Sequence, residues 1–172
     1  TVQGELIRGS HCIYSDDHGE TWKLGEPVGT TCNESTAAEL LDGRVLLNMR
    51  NYGNKNRRMV AVSEDGGHAF SEPAIDESLI EPVCQGCLIR FAWPTDNKPG
   101  VLLFSNPAST KRENMTVKAS YDDGKTWPVS KVIFPGSAAY SCLTVLPDQS
   151  IGLLYEKDNY QKIVFAQFGW EQ

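Results

Sequence analysis

Glu34, Arg50, Arg112 and Tyr140 are the residues of this chain whose types, taken together, could do chemistry. Two arginines on one face can hold a carboxylate with bidentate geometry. A tyrosine beside a glutamate can pass its proton to it while the phenol oxygen attacks an electrophile. Taken singly, each has a plainer reading. One Arg paired with one Glu is usually a surface ion pair of little worth. Arg112 sits in the cluster Lys111-Arg112-Glu113, which is ordinary for a solvated loop, and a lone Tyr ahead of a strand is more often packing than chemistry. The chemistry requires a fold that gathers all of them.

The segment Asn33 to Arg50 carries the first positioning element. Asp42-Gly43 lies there between two runs rich in apolar residues, the strongest short-range hairpin signal. Folding the chain with Leu41 opposite Arg44 puts Ser35 opposite Arg50, with Glu34 beside it. A carboxylate and a guanidinium thus reach the open end of one hairpin. Glu39 lies near the tip, roughly 17 Å from Glu34 at strand rise, and does not join them.

A repeated motif supplies the wider frame. The pattern S-x-D-x-G-x-x-aromatic occurs at Ser15 to Trp22, Ser63 to Phe70 and Ser120 to Trp127, with starts 48 and 57 residues apart. A fixed motif at such a period marks a repeat architecture, propellers prominent among them. The Asp can accept backbone N–H bonds and close a turn. The Gly can take a positive φ, and the aromatic can staple the turn to the core. The carboxylates are too few for an EF-hand calcium loop.

Strands are expected at His11 to Tyr14, Lys23 to Val28, Thr36 to Leu40, Arg44 to Met49, Arg57 to Val62, Cys87 to Trp93, Val101 to Ser105, Met115 to Ala119, Val129 to Phe134, Ser141 to Leu146, Ile151 to Glu156 and Lys162 to Phe168. Gly136-Ser137-Ala138-Ala139 reads as a loop of small residues that leaves the ring of Tyr140 accessible. No stretch shows a sustained helical period with caps. The fold class is therefore all-β: an up-and-down meander of four-stranded antiparallel units, about three blades of a partial β-propeller. In a meander the ends alternate. Box turns and hairpin tips share one face, and Glu34, Arg50, Gln85, Asn106, Arg112, Tyr140 and Glu156 share the other.

Composition excludes several classes. At 172 residues the chain is long enough for one domain with a real core. Its 40% hydrophobic and 22% charged content is that of a globular chain. A net charge of −6 argues against a broad basic surface for nucleic acid, while leaving room for a local anion pocket. No apolar run approaches a membrane span. No leader pattern is visible at Thr1, and the chain reads as beginning partway through a repeat. The five cysteines are odd in number, against a complete disulfide framework. Cys84-x-x-Cys87 has zinc or redox spacing, but Cys142, His11, His18 and His68 supply no second pair, so buried thiols are the favoured reading.

With these residues in view, the sequence resembles the exo-α-sialidases (neuraminidases) of the six-bladed Asp-box, or BNR repeat, propeller type over essentially its full length. Asn33-Glu34-Ser35 through Asn48-Met49-Arg50 looks like the family's Glu plus second triad arginine. Phe104-Ser105-Asn106-Pro107, followed by Arg112 and Met115-Thr116-Val117, looks like the stretch with the third. Gly136-Ser137-Ala138-Ala139-Tyr140-Ser141 resembles the nucleophile segment, and Cys84-Gln85-Gly86 a loop lining the sugar pocket.

The resemblance implies that residues 1–172 form the C-terminal part of a catalytic propeller domain. It implies Tyr140 as nucleophile, Glu34 as its base, and Arg50 and Arg112 as a carboxylate clamp, with Gln85 and Asn106 near the substrate. The implied reaction is retaining release of terminal sialic acid from glycoproteins, glycolipids and oligosaccharides through a sialyl-tyrosine intermediate, without cofactor or metal. Sialic acid bears a carboxylate on its anomeric carbon, which would repel an Asp or Glu nucleophile; a neutral phenol avoids that penalty. The family's first triad arginine, in an R-I-P-like segment, and its acid/base Asp are not present. Asp16 and Asp17 belong to a box turn and do not replace them. The chain alone is thus expected to show little hydrolysis, with the N-terminal part of the same propeller as partner. The competing functions are a non-catalytic Asp-box propeller that binds glycans or proteins, and a trans-sialidase. A secreted, periplasmic or lysosomal-type compartment would suit such an enzyme, though no residue fixes it.

Overall fold

Short apolar runs punctuated by Asp, Gly and Asn dictate short antiparallel strands. The computed structural model describes residues 9–53 and 55–170; the Thr1 segment read for a leader lies outside the described residues. Among the described residues there are twelve strands and no helix, so none is long and apolar enough to cross a membrane. β1 (Ile13–Tyr14) and β2 (Lys23–Leu24) form a two-stranded sheet. β3 (Cys32–Glu39), β4 (Val45–Asn51), β5 (Arg57–Ser63) and β6 (Ala74–Ile80) form a four-stranded sheet in chain order. β7 (Cys87–Ala92), β8 (Val101–Pro107), β9 (Glu113–Ser120), β10 (Val129–Val145), β11 (Ile151–Lys157) and β12 (Lys162–Phe168) form a six-stranded sheet, also in chain order.

That larger sheet is two meanders fused in one strand. β10 pairs with β9 from Val129 to Ser137 and with β11 from Ala138 to Val145. It is the outer strand of one four-stranded unit and the inner strand of the next. The chain is all-β and forms part of a β-propeller. Neighbouring blades meet along their inner strands: Leu88 N donates to Thr36 Oγ1 at 3.2 Å, and Leu143 N to Cys87 Sγ at 3.3 Å.

The core follows from strand periodicity. Every residue of β8 is buried, and successive side chains point to opposite faces. Val101 and Leu103 pack with Met115, Val117, Leu143, Ile151 and Leu153. Leu102 and Phe104 face the other way, onto Ala38, Leu40, Leu46 and Trp127. One blade is thus pressed between two others, which is why its central strand is apolar throughout.

The three boxes close alike. Thr21 N, Ala69 N and Thr126 N donate to Asp17, Asp65 and Asp122 Oδ1 at 2.8, 3.0 and 2.8 Å. Gly19, Gly67 and Gly124 each donate N–H to the box serine Oγ, at 2.7, 2.8 and 2.7 Å, with φ of 91, 96 and 84°. The aromatic does not always staple: Trp127 is 9% exposed and packs 5.9 Å from Phe104, whereas Trp22 is 61% exposed. Box turns and hairpin tips do share a face. Asp123 accepts from Leu41 N at 2.9 Å and from Arg90 Nη2 at 2.6 Å.

Several expectations need correction. The Asp42-Gly43 turn is a three-residue loop, with Leu40 N donating to Arg44 O at 2.7 Å and Gly43 at φ +84°. The register is therefore Ser35 opposite Met49, not Arg50. Gly136 to Ala139 are strand rather than loop, because β10 runs unbroken through them. β6 was not foreseen; six of its seven residues are exposed or half-buried, without alternation. Lys23 to Val28 is only the two-residue β2 plus a bridge between Ser10 and Val28.

Candidate active site

Two β-bulges aim the site. β3 and β4 pair Cys32 with Asn51 and Ser35 with Met49, so Asn33 and Glu34 together oppose Arg50. β10 and β11 pair Ala138 with Lys157 and Ser141 with Tyr155, so Ala139 and Tyr140 together oppose Glu156. Bulges bend a strand and re-aim a side chain, and they recur next to active sites. The three-residue loop shifts the register by one and so sets Glu34 itself opposite Arg50, and the first bulge adds Asn33 beside it. The second frees the Tyr140 N–H from the ladder, and it donates to Glu156 Oε2 at 3.0 Å.

The side chains converge. Arg50 Nη1 donates to Glu34 Oε2 at 2.6 Å and to the Tyr140 hydroxyl at 3.2 Å. The Tyr140 hydroxyl donates to Glu34 Oε1 in a short hydrogen bond. Arg50 also lies over the Tyr52 ring, with Cζ 4.7 Å from its centroid. The Arg112 guanidinium carbon lies 5.8 Å from the centroid of the Tyr140 ring. Beside Tyr140, toward β11 and β12, opens a cleft of about 300 Å³ lined by Gln85, Leu154, Glu156 and Ile163 among others.

Burial would push the Glu34 carboxyl up, but the hydrogen bonds from Tyr140 and Arg50 outweigh it and hold the group below its ordinary value. Burial and then the Glu34 carboxylate push the Tyr140 hydroxyl up, so the phenol is neutral at neutral pH. The pair is arranged as a neutral donor on an ionised acceptor. Burial likewise pushes the Cys84 and Cys87 thiols up to about 11, so both are protonated and unreactive.

Of the residues expected at the site, Glu34, Arg50, Tyr140 and Arg112 come together. Gln85 is near but serves the backbone: its Oε1 accepts from Ser141 N and its Nε2 donates to Ser141 O, both at 3.0 Å. Asn106 is buried, and its Nδ2 donates to Ile80 O at 2.8 Å and Pro107 O at 3.2 Å. Both hold the chain that carries the site.

Other residues were not anticipated. Arg58 and Glu81 form a fully buried ion pair at 2.9 Å beneath the site. Glu81 Oε1 accepts Asn51 N at 2.7 Å, next to Arg50. Tyr160 and the Val83 carbonyl both reach Arg112. The Asp158-Asn159 dipeptide signals a turn, but nothing local shows that the turn aims Tyr160 inward.

The BNR repeat-like domain family matches residues 2–155. A sialidase of Micromonospora viridifaciens is 52% identical over 149 residues, covering 84% of this chain and 23% of the relative. A sialidase of Bacteroides fragilis is 37% identical, covering 90% of this chain and 29% of the relative. Among solved structures, a Hadza microbial sialidase aligns with a TM-score of 0.78 at 38% identity, over 90% of this chain and 31% of that one. The intramolecular trans-sialidase from Ruminococcus gnavus aligns with a TM-score of 0.76 at 25% identity, over 91% of this chain and 37% of that one. The chain thus spans only 23% and 29% of the length of these two curated relatives.

Proposed function

Because this chain belongs to the BNR repeat-like domain family, we propose that it is the part of a sialidase catalytic propeller that bears the nucleophile. The reaction is retaining hydrolysis of terminal sialic acid from glycoconjugates. The observation that carries this reading is the hydrogen-bonded set Tyr140–Glu34–Arg50. As the Tyr140 oxygen bonds to the anomeric carbon, its proton passes to Glu34 and the glycosidic bond breaks. The departing oxygen takes a proton from an acid elsewhere in the complete propeller. Water then attacks the anomeric carbon and gives a proton back to the conjugate base of that acid, the C–O bond to Tyr140 breaks, and the phenoxide recovers its proton from Glu34.

Arg50 has two roles in this scheme. It holds Glu34 ionised, and with Arg112 it binds the substrate carboxylate. The phenol is suited to its target because it approaches a carboxylate-bearing carbon without charge. Residues 1–172 then form the C-terminal portion of the domain, and the blades before them supply the other wall of the pocket. The 172-residue chain by itself is accordingly expected to hydrolyse little.

The test is Tyr140→Phe in the complete enzyme, assayed on a fluorogenic aryl α-sialoside. Turnover should fall by about a thousandfold or more, as when a nucleophile is lost, while sialic acid still binds. Unchanged turnover would refute the assignment. A second reading, transfer to an internal or external acceptor, is favoured by the likeness to the intramolecular trans-sialidases of Ruminococcus gnavus and leech. Identification of the released product, free sialic acid or an anhydro or transferred sugar, separates the two.

A further inference from the structure

Arg112 is gripped from two sides by acceptors that stand on unusual backbone. Nη2 donates to Val83 O at 3.2 Å, and Nη1 donates to the Tyr160 hydroxyl at 2.8 Å. Val83 has φ +54°. That is a genuine outlier for a β-branched side chain, which crowds the carbonyl in the left-handed region. Asp158, Asn159 and Tyr160 have φ of 54, 53 and 67°, three left-handed non-glycine residues in a row. Such conformations persist only where their surroundings over-determine them, and they gather at ligand clamps.

The surroundings here do so. Beside Val83, the Cys84 peptide is held at both ends: its N–H donates to Glu81 Oε2 at 3.2 Å, and its carbonyl accepts from Arg58 Nη1 at 2.7 Å. Arg58 and Glu81 are themselves fully buried and paired. Beside Tyr160, Asp158 N donates to Ser137 O at 3.1 Å. Asn159 N donates to Ser137 Oγ at 3.2 Å, and that hydroxyl donates to Asn159 Oδ1 at 2.9 Å. Two separate anchored segments, one ahead of β7 and one between β11 and β12, thus end on one guanidinium.

A surface arginine needs no such arrangement, because an exposed cation is solvated in any orientation. A guanidinium that must meet a carboxylate with two parallel bonds needs its plane fixed. Arg112 has five N–H groups. With one given to Val83 and one to Tyr160, three remain to meet an anion. We propose that Tyr160 is a positioning residue which, with the Val83 carbonyl, braces the Arg112 guanidinium for bidentate capture of the substrate carboxylate. This rests on the assignment of Arg112 to the carboxylate clamp made above.

Tyr160→Phe keeps the ring and removes the acceptor. Arginine side-chain NMR on the unliganded protein tests the brace without substrate. Wild type should show restricted rotation of the Arg112 guanidinium, with separate Nη–H signals, and Tyr160→Phe should average them. Free rotation in wild type, or no change in the variant, overturns the proposal. Calorimetry in the complete enzyme then compares sialic acid with its methyl ester. The variant should lose about tenfold in affinity for the acid, the scale of one hydrogen bond to a charged group, and little for the ester. Equal loss for both would overturn the brace and make Tyr160 a direct sugar contact. Equal wild-type binding of acid and ester, with Arg112 still rigid, would instead sink the carboxylate-clamp assignment and leave the brace standing.

Discussion

The Tyr140 hydroxyl donates to Glu34 Oε1 although 106 residues separate the two in the chain. Each stands at a bulge, where two residues of one strand face a single residue of the next. Local irregularities in two different blades therefore set one long-range contact, and Arg50 Nη1 touches both partners.

Tyr140 helps hold Glu34 ionised, after burial has worked against it. A carboxyl NMR titration should place Glu34 below the ordinary value, and Tyr140→Phe should move it upward, because burial is then opposed by one hydrogen bond fewer. Under the proposed mechanism, the acid limb of kcat/KM should track that lowered Glu34 titration. A Glu34 titration that ignores Tyr140→Phe would separate the two groups.

The box carboxylates should make the fold acid-sensitive in a defined window. Hydrogen bonds from Thr21 hold Asp17 down to about 2 against an ordinary 3.8, and Asp65 and Asp122 shift the same way. A carboxyl lowered on folding contributes stability that is complete above its unfolded value and lost as pH falls toward its folded one. Melting temperatures of wild type and Asp17→Asn should therefore differ at pH 6 and converge near pH 2. A constant difference across that range would show that the titration of Asp17 is not involved.

The Arg58–Glu81 pair is fully buried, and burial pushes the Arg58 guanidinium down from its ordinary value. Glu81→Leu strands a charge and two backbone N–H groups, and should cost about 3–5 kcal/mol in urea unfolding. Adding Arg58→Met should recover part of that loss, since the stranded charge goes. A double variant less stable than the single one would mean that Arg58 matters for its packing against Phe104, whose ring centroid lies 5.5 Å away, more than for its charge.

Gly86 has no room for a side chain. A Cβ there would come within 2.5 Å of Phe104 Cζ, and Phe104 is fully buried. Gly86→Ala should cost about 1–3 kcal/mol by thermal unfolding, the range for overpacking. It should also loosen Gln85, and with it the Ser141 segment next to Tyr140. An unaltered melting temperature would show that the ring swings aside freely.

What could be read from the chain beforehand was local or periodic. The boxes were legible because serine, aspartate and glycine bond within a span of a few residues, so their spacing is their structure. The Glu34–Arg50 pairing was reached through a wrong register: the extra loop residue shifts the pairing by one and brings Glu34, rather than Ser35, opposite Arg50. β6 was missed because Ala74–Ile80 is largely exposed and carries no alternation. Gly136 to Ala139 misled because small residues signal turns, whereas here they let a strand cross between blades; a Cβ on Gly136 would meet the Phe134 ring at 2.5 Å. Asn106 and Gln85 were placed at the correct end of the sheet, but no sequence pattern shows that their amides satisfy backbone groups. The left-handed backbone at Val83 and Tyr160 was illegible because it is imposed by tertiary anchors against local preference.

A strand shared by two blades carries its own count of offsets. β10 enters as the last strand of one blade and leaves as the first of the next without a break. Its pairing is offset by one residue three times, at Val132/Phe134, at Phe134/Ser137 and at Ala138/Ser141, and the last offset aims Tyr140. One further residue inserted in this strand would have to be taken up by another offset of the same kind, or it would exchange inside for outside downstream. Length changes along β10 are therefore confined to places where a bulge can take up the extra residue. The position of Tyr140 is in that sense set by the number of these offsets as well as by packing.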